Sequence, residues 1–233
     1  MGTHAASVQI NPKLPSDPRH DFDSLGLVSS TPNTLFVRKD FPASTLKEYM
    51  AYAKAKGKNL KLGHSGIGSA PHITIVLLSQ LIGVEPTMVA YRSFGQTIND
   101  ILFGAIDGSC DLVATVSGHV QGGSVRALVV AVDERRSPAV PDSPTANEAG
   151  LPEFKVETWT GLYAPKDSPA VVLAKLSDAI AKTLADPVSV KRLTDIGGGV
   201  PKLERQGGTY MQKLVVSEVD RWRKVLVDVK MGE

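Results

Sequence analysis

Residues 60–82, with the sequence LKLGHSGIGSAPHITIVLLSQLI, decide the fold. Residues 60–62 form a short strand candidate, and residues 63–69 are too rich in glycine to continue it. Pro71 then falls in the first turn of an apolar segment that reaches Ile82, and the first turn is the part of a helix that tolerates proline. The stretch therefore predicts a strand, a glycine-rich loop and a helix.

The glycine-rich loop is the segment best suited to binding an anion. A helix that begins just after it presents unpaired backbone N–H groups and roughly half a positive charge at its N-terminus. Ser65 and Ser69 add hydroxyl donors, while Gly66 and Gly68 allow a ligand to approach the backbone closely. A plain tight turn explains the same residues equally well, so the pattern alone leaves both interpretations open.

Three enzyme motifs fail at this loop. A nucleophile elbow requires glycine two residues after Ser65, where Ile67 stands. A dinucleotide fingerprint beginning at Gly66 requires glycine at position 71, which is proline, and the Gly-Lys-Ser/Thr of a Walker loop is absent.

His64 and His72 have no carboxylate or cysteine cluster at metal-ligand spacing, so we predict no metal and no cofactor. A hydrogen-bonding role is favoured for His72.

Asp107 and Asp111 lie four residues apart and could form a catalytic pair. Gly108 and Ser109 between them instead favour a loop that enters a strand at Leu112. We therefore interpret Asp111 as a single hydrogen-bond acceptor in a pocket.

Strands and helices alternate on both sides of the central stretch. Further strands are predicted at residues 25–28, 34–37, 87–90, 112–115, 127–132 and 157–164. Further helices are predicted at residues 45–57, 94–103, 146–149, 169–184, 187–197 and 209–229. Thr45 and Glu48 form a capping box for the first of these. The helix at 169–184 has Leu173, Leu176, Ile180 and Leu184 in phase as predicted core residues, and the last helix has an apolar stripe from Leu214 to Val229 that should also face the core. Residues 1–25 are polar and contain three prolines, which is typical of an irregular connection. The alternation predicts an α/β fold with a parallel sheet covered by helices.

Composition excludes several classes of protein. The formal net charge of +2 is too small to indicate a nucleic acid or an anionic membrane as partner. The longest apolar runs fall far short of the roughly 20 residues that span a bilayer. Cys110 is the single cysteine, so an intrachain disulfide is impossible. The first seven residues lack the basic and apolar regions of a secretion signal, so either the protein is cytoplasmic or the signal is missing.

Four stretches together resemble the Bug family, the periplasmic substrate-binding proteins of tripartite tricarboxylate transporters. They are LGHSGIGSAPH at 62–72, YRSFGQTIND at 91–100 with residues 107–111 after it, RSPAVPDSPTANEAGLP at 136–152 and WTGLYAP at 159–165. The resemblance extends from about residue 3 to residue 229. It implies a type II periplasmic-binding-protein fold, in which two α/β domains joined by crossing strands close on a ligand. Residues 1–38 plus 155–233 would form domain 1, and residues 39–154 domain 2.

The resemblance also implies a function. Such a protein is not an enzyme: in the periplasm it captures a small carboxylate, such as a di- or tricarboxylate, an amino acid or an aromatic acid. It delivers this ligand to membrane transporter subunits, with no nucleic-acid binding and no direct membrane insertion. The positions that would bind the ligand are Ser65, Gly66, Gly68, Ser69, His72, Asp111, Thr158 and Trp159. A sensing module that signals to a membrane protein is an alternative, and a hydrolase using Ser65 and His72 is a less favoured one.

Three departures from the family pattern bear on this expectation. His64 stands where serine is common, and Ser93-Phe94 replaces a smaller stretch, so the ligand's identity is not transferred. A family member would also carry, before Met1, a signal peptide, a first strand and a second glycine-rich loop. The resemblance therefore implies that domain 1 is incomplete at its N-terminus.

Overall fold

The computed structural model describes residues 3–11, 13–132, 136–195 and 198–227. The helices are α1 (Thr3–Ile10), α2 (Leu46–Lys56), α3 (Ala70–Ile82), α4 (Phe94–Leu102), α5 (Val113–Gln121), α6 (Ala170–Ala185), α7 (Pro187–Asp195) and α8 (Gly208–Leu226). The strands are β1 (Phe22–Arg38), β2 (Lys61–His64), β3 (Thr87–Ala90), β4 (Gly108–Leu112), β5 (Val125–Val130) and β6 (Glu157–Pro165). The chain divides into two compact units. Unit 1 contains Met1–Thr31 and Thr158–Lys230, and unit 2 contains Pro32–Glu157.

The sheet of unit 2 has the strand order β3-β2-β4-β1-β5. Strand β2 runs parallel to β3 and β4, as predicted. Strand β1 runs antiparallel to both β4 and β5, so the prediction of an all-parallel sheet is wrong. A helical crossover fixes a parallel direction only for the two strands that it connects. Helix α5 connects β4 and β5, and β1, which lies between them in the sheet, is not constrained by that crossover.

Local capping signals set the helix boundaries of unit 2. Thr45 and Glu48 form the predicted capping box of α2, each side chain accepting a hydrogen bond from the other residue's backbone N–H. Ser69 caps α3, and Gly83 ends it with a left-handed φ of 66°. Because α3 is buried along most of its length, the loop before it is held against the sheet.

An apolar core fixes the sheet beside that loop. Its buried members are Phe36, Ile98, Ile101, Ile106, Val116 and Val125. Gly63 in β2 faces this core, because a Cβ at that position would lie 2.6 Å from Ile106 Cδ1 and 2.7 Å from Thr97 Cγ2. The glycine therefore allows Ile106 and Thr97 to pack directly on the strand that leads into the loop.

Unit 1 has a separate core, in which α1 packs on α8. Its buried members are Ala5, Leu27, Trp159, Met211, Val215 and Val219. Trp222 of α8 is also fully buried, and β6 pairs with β1. The apolar stripe predicted for α8 faces inward at its described positions, whereas Val229 lies outside the described residues.

Helix α6 packs less deeply than its sequence predicts. Of the four predicted core residues, Leu184 is 4% exposed, Leu173 and Ile180 are half-buried, and Leu176 is 42% exposed. The prediction for Leu176 is therefore wrong, because residues 173, 177, 180 and 184 form the inward stripe and Leu176 lies beside it. Helix α7 ends at Asp195, and the predicted end at Gly197 falls outside the described residues.

Two predictions about the first 40 residues are wrong. Residues 3–10 form α1 rather than an irregular connection, since packing on α8 stabilises a helix too short to persist alone. The two short strands predicted around Pro32 are one continuous 17-residue strand, β1. Proline tolerates extended backbone where its missing N–H is not needed, and the Asn33 N–H next to it donates to the Val156 carbonyl at 3.0 Å.

The region after Ile106 also differs from the prediction. Gly108 and Ser109 open β4 instead of forming a loop, because Gly108 lies so close to β1 that a Cβ would meet the Phe36 carbonyl oxygen at 2.4 Å. The predicted strand at 112–115 ends at Leu112, and residue 113 begins α5, which the sequence did not indicate. The helix predicted at 146–149 is a single hydrogen-bonded turn after Thr145.

Candidate functional site

The glycine-rich loop lies at the carboxyl edge of three parallel strands of unit 2. Strand β2 ends at His64, directly before the loop, and β3 and β4 flank β2 with the same direction. Loops at this edge of an α/β sheet are where ligands bind in open sheets. The backbone adopts left-handed conformations at Gly66 (φ 97°) and Gly68 (φ 81°), so both glycines are required by the conformation of the loop.

Ser69 closes the loop and caps α3. Its hydroxyl donates to the Gly66 carbonyl at 2.7 Å and accepts from the His72 N–H at 3.3 Å. The Ser69 N–H also donates to the Gly66 carbonyl, at 3.2 Å. The hydroxyl proton of Ser69 is therefore already used within the loop, and this residue acts here as a cap rather than as a free donor.

Several other donors of the loop have no partner among the described residues. They are the backbone N–H groups of Gly66, Ile67 and Ala70 and the hydroxyl of Ser65. Pro71 has no N–H, so it leaves no further orphan donor in the first turn. Unpaired donors at the start of a 13-residue helix create a local positive potential. The loop therefore provides the backbone groups that a carboxylate would bind.

Two buried histidines pack against the loop. His64 and His72 are 3% and 4% exposed, and their ring centroids lie 4.8 Å apart. The His72 Nδ1 accepts a hydrogen bond from the Gly68 N–H at 3.3 Å, which places the proton of the neutral ring on Nε2. The His64 Nδ1 is buried without a partner among the described residues.

Both imidazoles are neutral near pH 7. Burial, together with the neighbouring His64 ring, lowers the pKa of His72 to about 4. Burial lowers the pKa of His64 as well, against an opposing hydrogen bond with the Gly66 backbone. A neutral imidazole with so low a pKa is a weak base, so His72 is poorly suited to activate Ser65 as a nucleophile.

Asp111 lies at the end of β4, on the same edge of the sheet. Residues 62 and 63 of β2 pair with 108 and 109 of β4, so Asp111 follows two residues later, towards the carboxyl edge at which the loop begins. The side chain is 7% exposed and accepts from the Leu112 N–H at 2.7 Å. Burial raises the pKa of Asp111 to about 6, although the Leu112 hydrogen bond opposes this shift. Asp111 is thus a buried acceptor, as the sequence indicated, but at a strand end.

Ser109 was not singled out by the sequence. Its buried hydroxyl donates to the Gly63 carbonyl at 2.7 Å. This hydrogen bond joins β4 to β2 one residue before His64. The burial of His64 was missed too. Its signal was the spacing of His64 and His72, which places one ring at the strand end and the other in the first helical turn.

The remaining predicted site residues lie in unit 1. Thr158 and Trp159 are on β6, where Trp159 is 7% exposed and packs with Leu27 and Met211 in the core. The Trp159 indole N–H has no partner among the described residues. Unit 2 therefore brings Ser65, Gly66, Gly68, Ser69, His72 and Asp111 to one edge of its sheet.

The described part of the chain contains no cluster of three metal-ligating side chains. Among the same residues, no helix is both long and apolar enough to cross a bilayer. The arrangement at the loop is a turn with unpaired hydrogen-bond donors, together with one buried carboxyl at the end of β4.

Comparisons with known proteins identify the family to which the sequence is similar. The sequence matches the tripartite tricarboxylate transporter family receptor, TctC, over residues 2–231. A UPF0065 protein from the TAR-I ttuE-ttuC′ intergenic region of Agrobacterium vitis is 30% identical over 222 residues. The match covers 95% of this chain and 64% of that protein, so the chain spans less than two thirds of this relative.

Solved structures show the same fold. MatC from Rhodopseudomonas palustris, with bound malate, has a TM-score of 0.86 at 38% identity, covering 97% of this chain and 76% of MatC. The periplasmic binding protein BugD has a TM-score of 0.79 at 30% identity, covering 95% of this chain and 75% of BugD. These neighbours confirm the predicted α/β fold and the resemblance to Bug proteins, which are substrate-binding proteins and not enzymes. The chain belongs to the tripartite tricarboxylate transporter receptor family.

Proposed function

We propose that this protein captures a small carboxylate at the glycine-rich loop of unit 2. The observation that carries the proposal is the set of backbone N–H groups at Gly66, Ile67 and Ala70 that have no acceptor among the described residues. A carboxylate supplies the acceptors that these donors lack, and the N-terminus of α3 favours its negative charge. Ser65 adds a hydroxyl donor on the same side of the sheet.

The ligand we propose is a hydroxy-substituted dicarboxylate. MatC, which is 38% identical to this chain, was solved with malate. Asp111 supports a ligand that carries a hydrogen-bond donor. Its buried carboxyl group accepts a hydrogen bond from the Leu112 N–H, and a hydroxyl group of the ligand could donate a second one. The resemblance to the family also leads us to propose Thr158 and Trp159 as ligand-binding residues.

The biological role that follows is delivery of the bound acid to a membrane transporter from the periplasm. BugD is a periplasmic binding protein, and the matched family consists of receptors for tripartite transporters. Two observations count against a hydrolase. His72 is only weakly basic, and the Ser65 hydroxyl has no hydrogen-bond partner among the described residues. Binding without turnover is the activity to be tested.

A thermal-shift titration tests the proposal directly. Ligands that bind only the folded state raise Tm in proportion to log concentration at saturation. Malate should raise Tm, whereas malamide, which has the same shape without the charges, should not. If neither malate nor succinate, adipate or citrate changes Tm at millimolar concentration, carboxylate capture at this loop is wrong.

A pair of glycine variants locates the site. Gly66 and Gly150 both have positive φ, 97° and 79°, and an added Cβ meets nothing within 4 Å at either position. Gly66→Ala and Gly150→Ala therefore introduce comparable backbone strain, about 1–2 kcal/mol, without a clash. We expect Gly66→Ala to lose most of the malate response and Gly150→Ala to keep it. Equal responses would place the ligand elsewhere.

A further inference from the structure

His64 and His72 form a buried pair, in which His64 stands where the family commonly has serine. Their ring centroids are 4.8 Å apart, and both rings contact the loop: His72 accepts from the Gly68 N–H, and His64 lies against the Gly66 backbone. The buried His64 Nδ1 has no partner among the described residues. A buried ring nitrogen without a hydrogen bond of ordinary geometry among the described residues, beside a loop with unpaired N–H groups, is suited to donate to a bound anion once it is protonated.

The ionisable groups of the described elements around the pair are few. Helix α3 contributes His72 alone, and β2 contributes Lys61 at its opposite end. From β4, Cys110 is fully buried and Asp111 lies at the strand end. After β3, the Tyr91 hydroxyl is bonded to Asp100, and Arg92 is exposed.

In the protein without a bound anion, the surroundings of the pair disfavour a charge on either ring. Both imidazoles are removed from water, and a proton on one ring repels a proton on the other. A carboxylate held by the loop N–H groups would bring a negative charge beside the pair and favour one imidazolium. The second ring would stay neutral, because two like charges at this separation are not compensated by a single anion.

We propose that binding a carboxylate at the loop is coupled to uptake of one proton by the His64–His72 pair, which then contacts the ligand as a charged donor. This inference rests on the proposed function. It makes His64 a selectivity residue. A charged imidazolium would add to the preference for an anion over a neutral analogue that the backbone donors already provide. Affinity for a dicarboxylate should rise as the pH falls from 8 towards 6, by up to about tenfold per pH unit.

Isothermal titration calorimetry with malate measures the proton directly. At pH 6.5, titrations in Mes and in Bis-Tris, which differ in ionisation enthalpy, give the number of protons bound. We expect on the order of 0.5–1 proton taken up per malate. The dissociation constant should rise at least tenfold between pH 6 and pH 8, a range in which malate remains largely ionised.

Variants assign the proton to the pair. His64→Gln and His72→Gln should each abolish proton uptake and flatten the pH dependence of malate affinity. The matched control is His20→Gln, because His20 is an exposed histidine of unit 1 and should leave both unchanged. Should a pair variant misfold, the imidazole resonances of the wild-type protein answer the same question. At pH 7, malate should move a single buried histidine to the chemical shift of an imidazolium.

The outcomes are distinct. Malate binding with no proton uptake, or with uptake that survives in His64→Gln, overturns the coupling and leaves carboxylate capture intact. Failure of every carboxylate to bind at any pH overturns both.

Discussion

Asp111 shows how one residue can link stability to pH. Its carboxyl group is buried at the end of β4, and burial raises its pKa from 3.8 to about 6. The protonated form is therefore favoured in the folded protein. The stabilisation from protonation is complete below pH 4 and is lost as the pH rises through 6.

Asp111→Asn should remove this dependence. The amide oxygen can still accept from the Leu112 N–H, and no ionisation is possible. A shift of this size corresponds to about 2–3 kcal/mol, so the variant should gain up to that amount of stability relative to wild type between pH 4 and pH 7. Urea unfolding at several pH values measures the difference, in which the contributions of His64 and His72 cancel. Parallel pH profiles for the two proteins would contradict the assignment.

Gly63 is required by packing rather than by backbone conformation. An added Cβ would lie 2.6 Å from Ile106 Cδ1 and 2.7 Å from Thr97 Cγ2. Gly63→Ala should therefore cost about 1–3 kcal/mol by overpacking the core. Gly118→Ala in α5 is the control, because an added Cβ meets nothing within 4 Å there and should stabilise the helix by about 0.5–1 kcal/mol. Chemical denaturation distinguishes the opposite signs, and a neutral Gly63→Ala would show that the core yields at this point.

At the scale of elements, helix α6 contains two leucines at helical spacing that should contribute differently to the stability of the fold. Leu184→Ala should cost about 2–4 kcal/mol, because its side chain is 4% exposed. Leu176→Ala should cost less than about 1 kcal/mol, because Leu176 is 42% exposed. Both substitutions replace the same residue in the same helix, so the difference in unfolding free energy reports burial. Similar costs would mean that α6 buries both faces.

The elements predicted best are those whose signals are local. The capping box at Thr45, the proline in the first turn of α3 and the glycines of the loop each constrain a few neighbouring residues, and the structure has the expected element at each. The predictions that failed depend on distant partners. Gly108 opens a strand because β1 packs directly against it, and α1 forms because α8 lies beside it.

The candidate site was predictable to the same extent. The sequence assigns Gly66 and Gly68 to the loop for close approach of a ligand, and the structure adds that positive φ requires both glycines. The structure adds which donors are unpaired: Ser69 is used as a cap, while the N–H groups of Ile67 and Ala70 are left without acceptors among the described residues. That distinction depends on where carbonyl groups fall in space, which residue spacing does not encode.

For the whole molecule, the division into two units means that a substitution in one unit tests only the proposed binding residues of that unit. The loop, the histidine pair and Asp111 belong to unit 2, whereas Thr158 and Trp159 belong to unit 1. The chain covers 76% of MatC and 75% of BugD. A malate titration of variants in the loop tests the loop, and a separate titration of a Trp159 variant tests the predicted role of that residue.

The placement of the two tryptophans has a spectroscopic consequence. Trp159 and Trp222 are the only indoles in the sequence, and both are buried in unit 1. Fluorescence emission during denaturation therefore follows the melting of unit 1, while circular dichroism near 222 nm sums the helices of both units. Superimposable curves would indicate a single cooperative transition, and a gap between their midpoints would measure how independently the histidine-containing unit loses its structure.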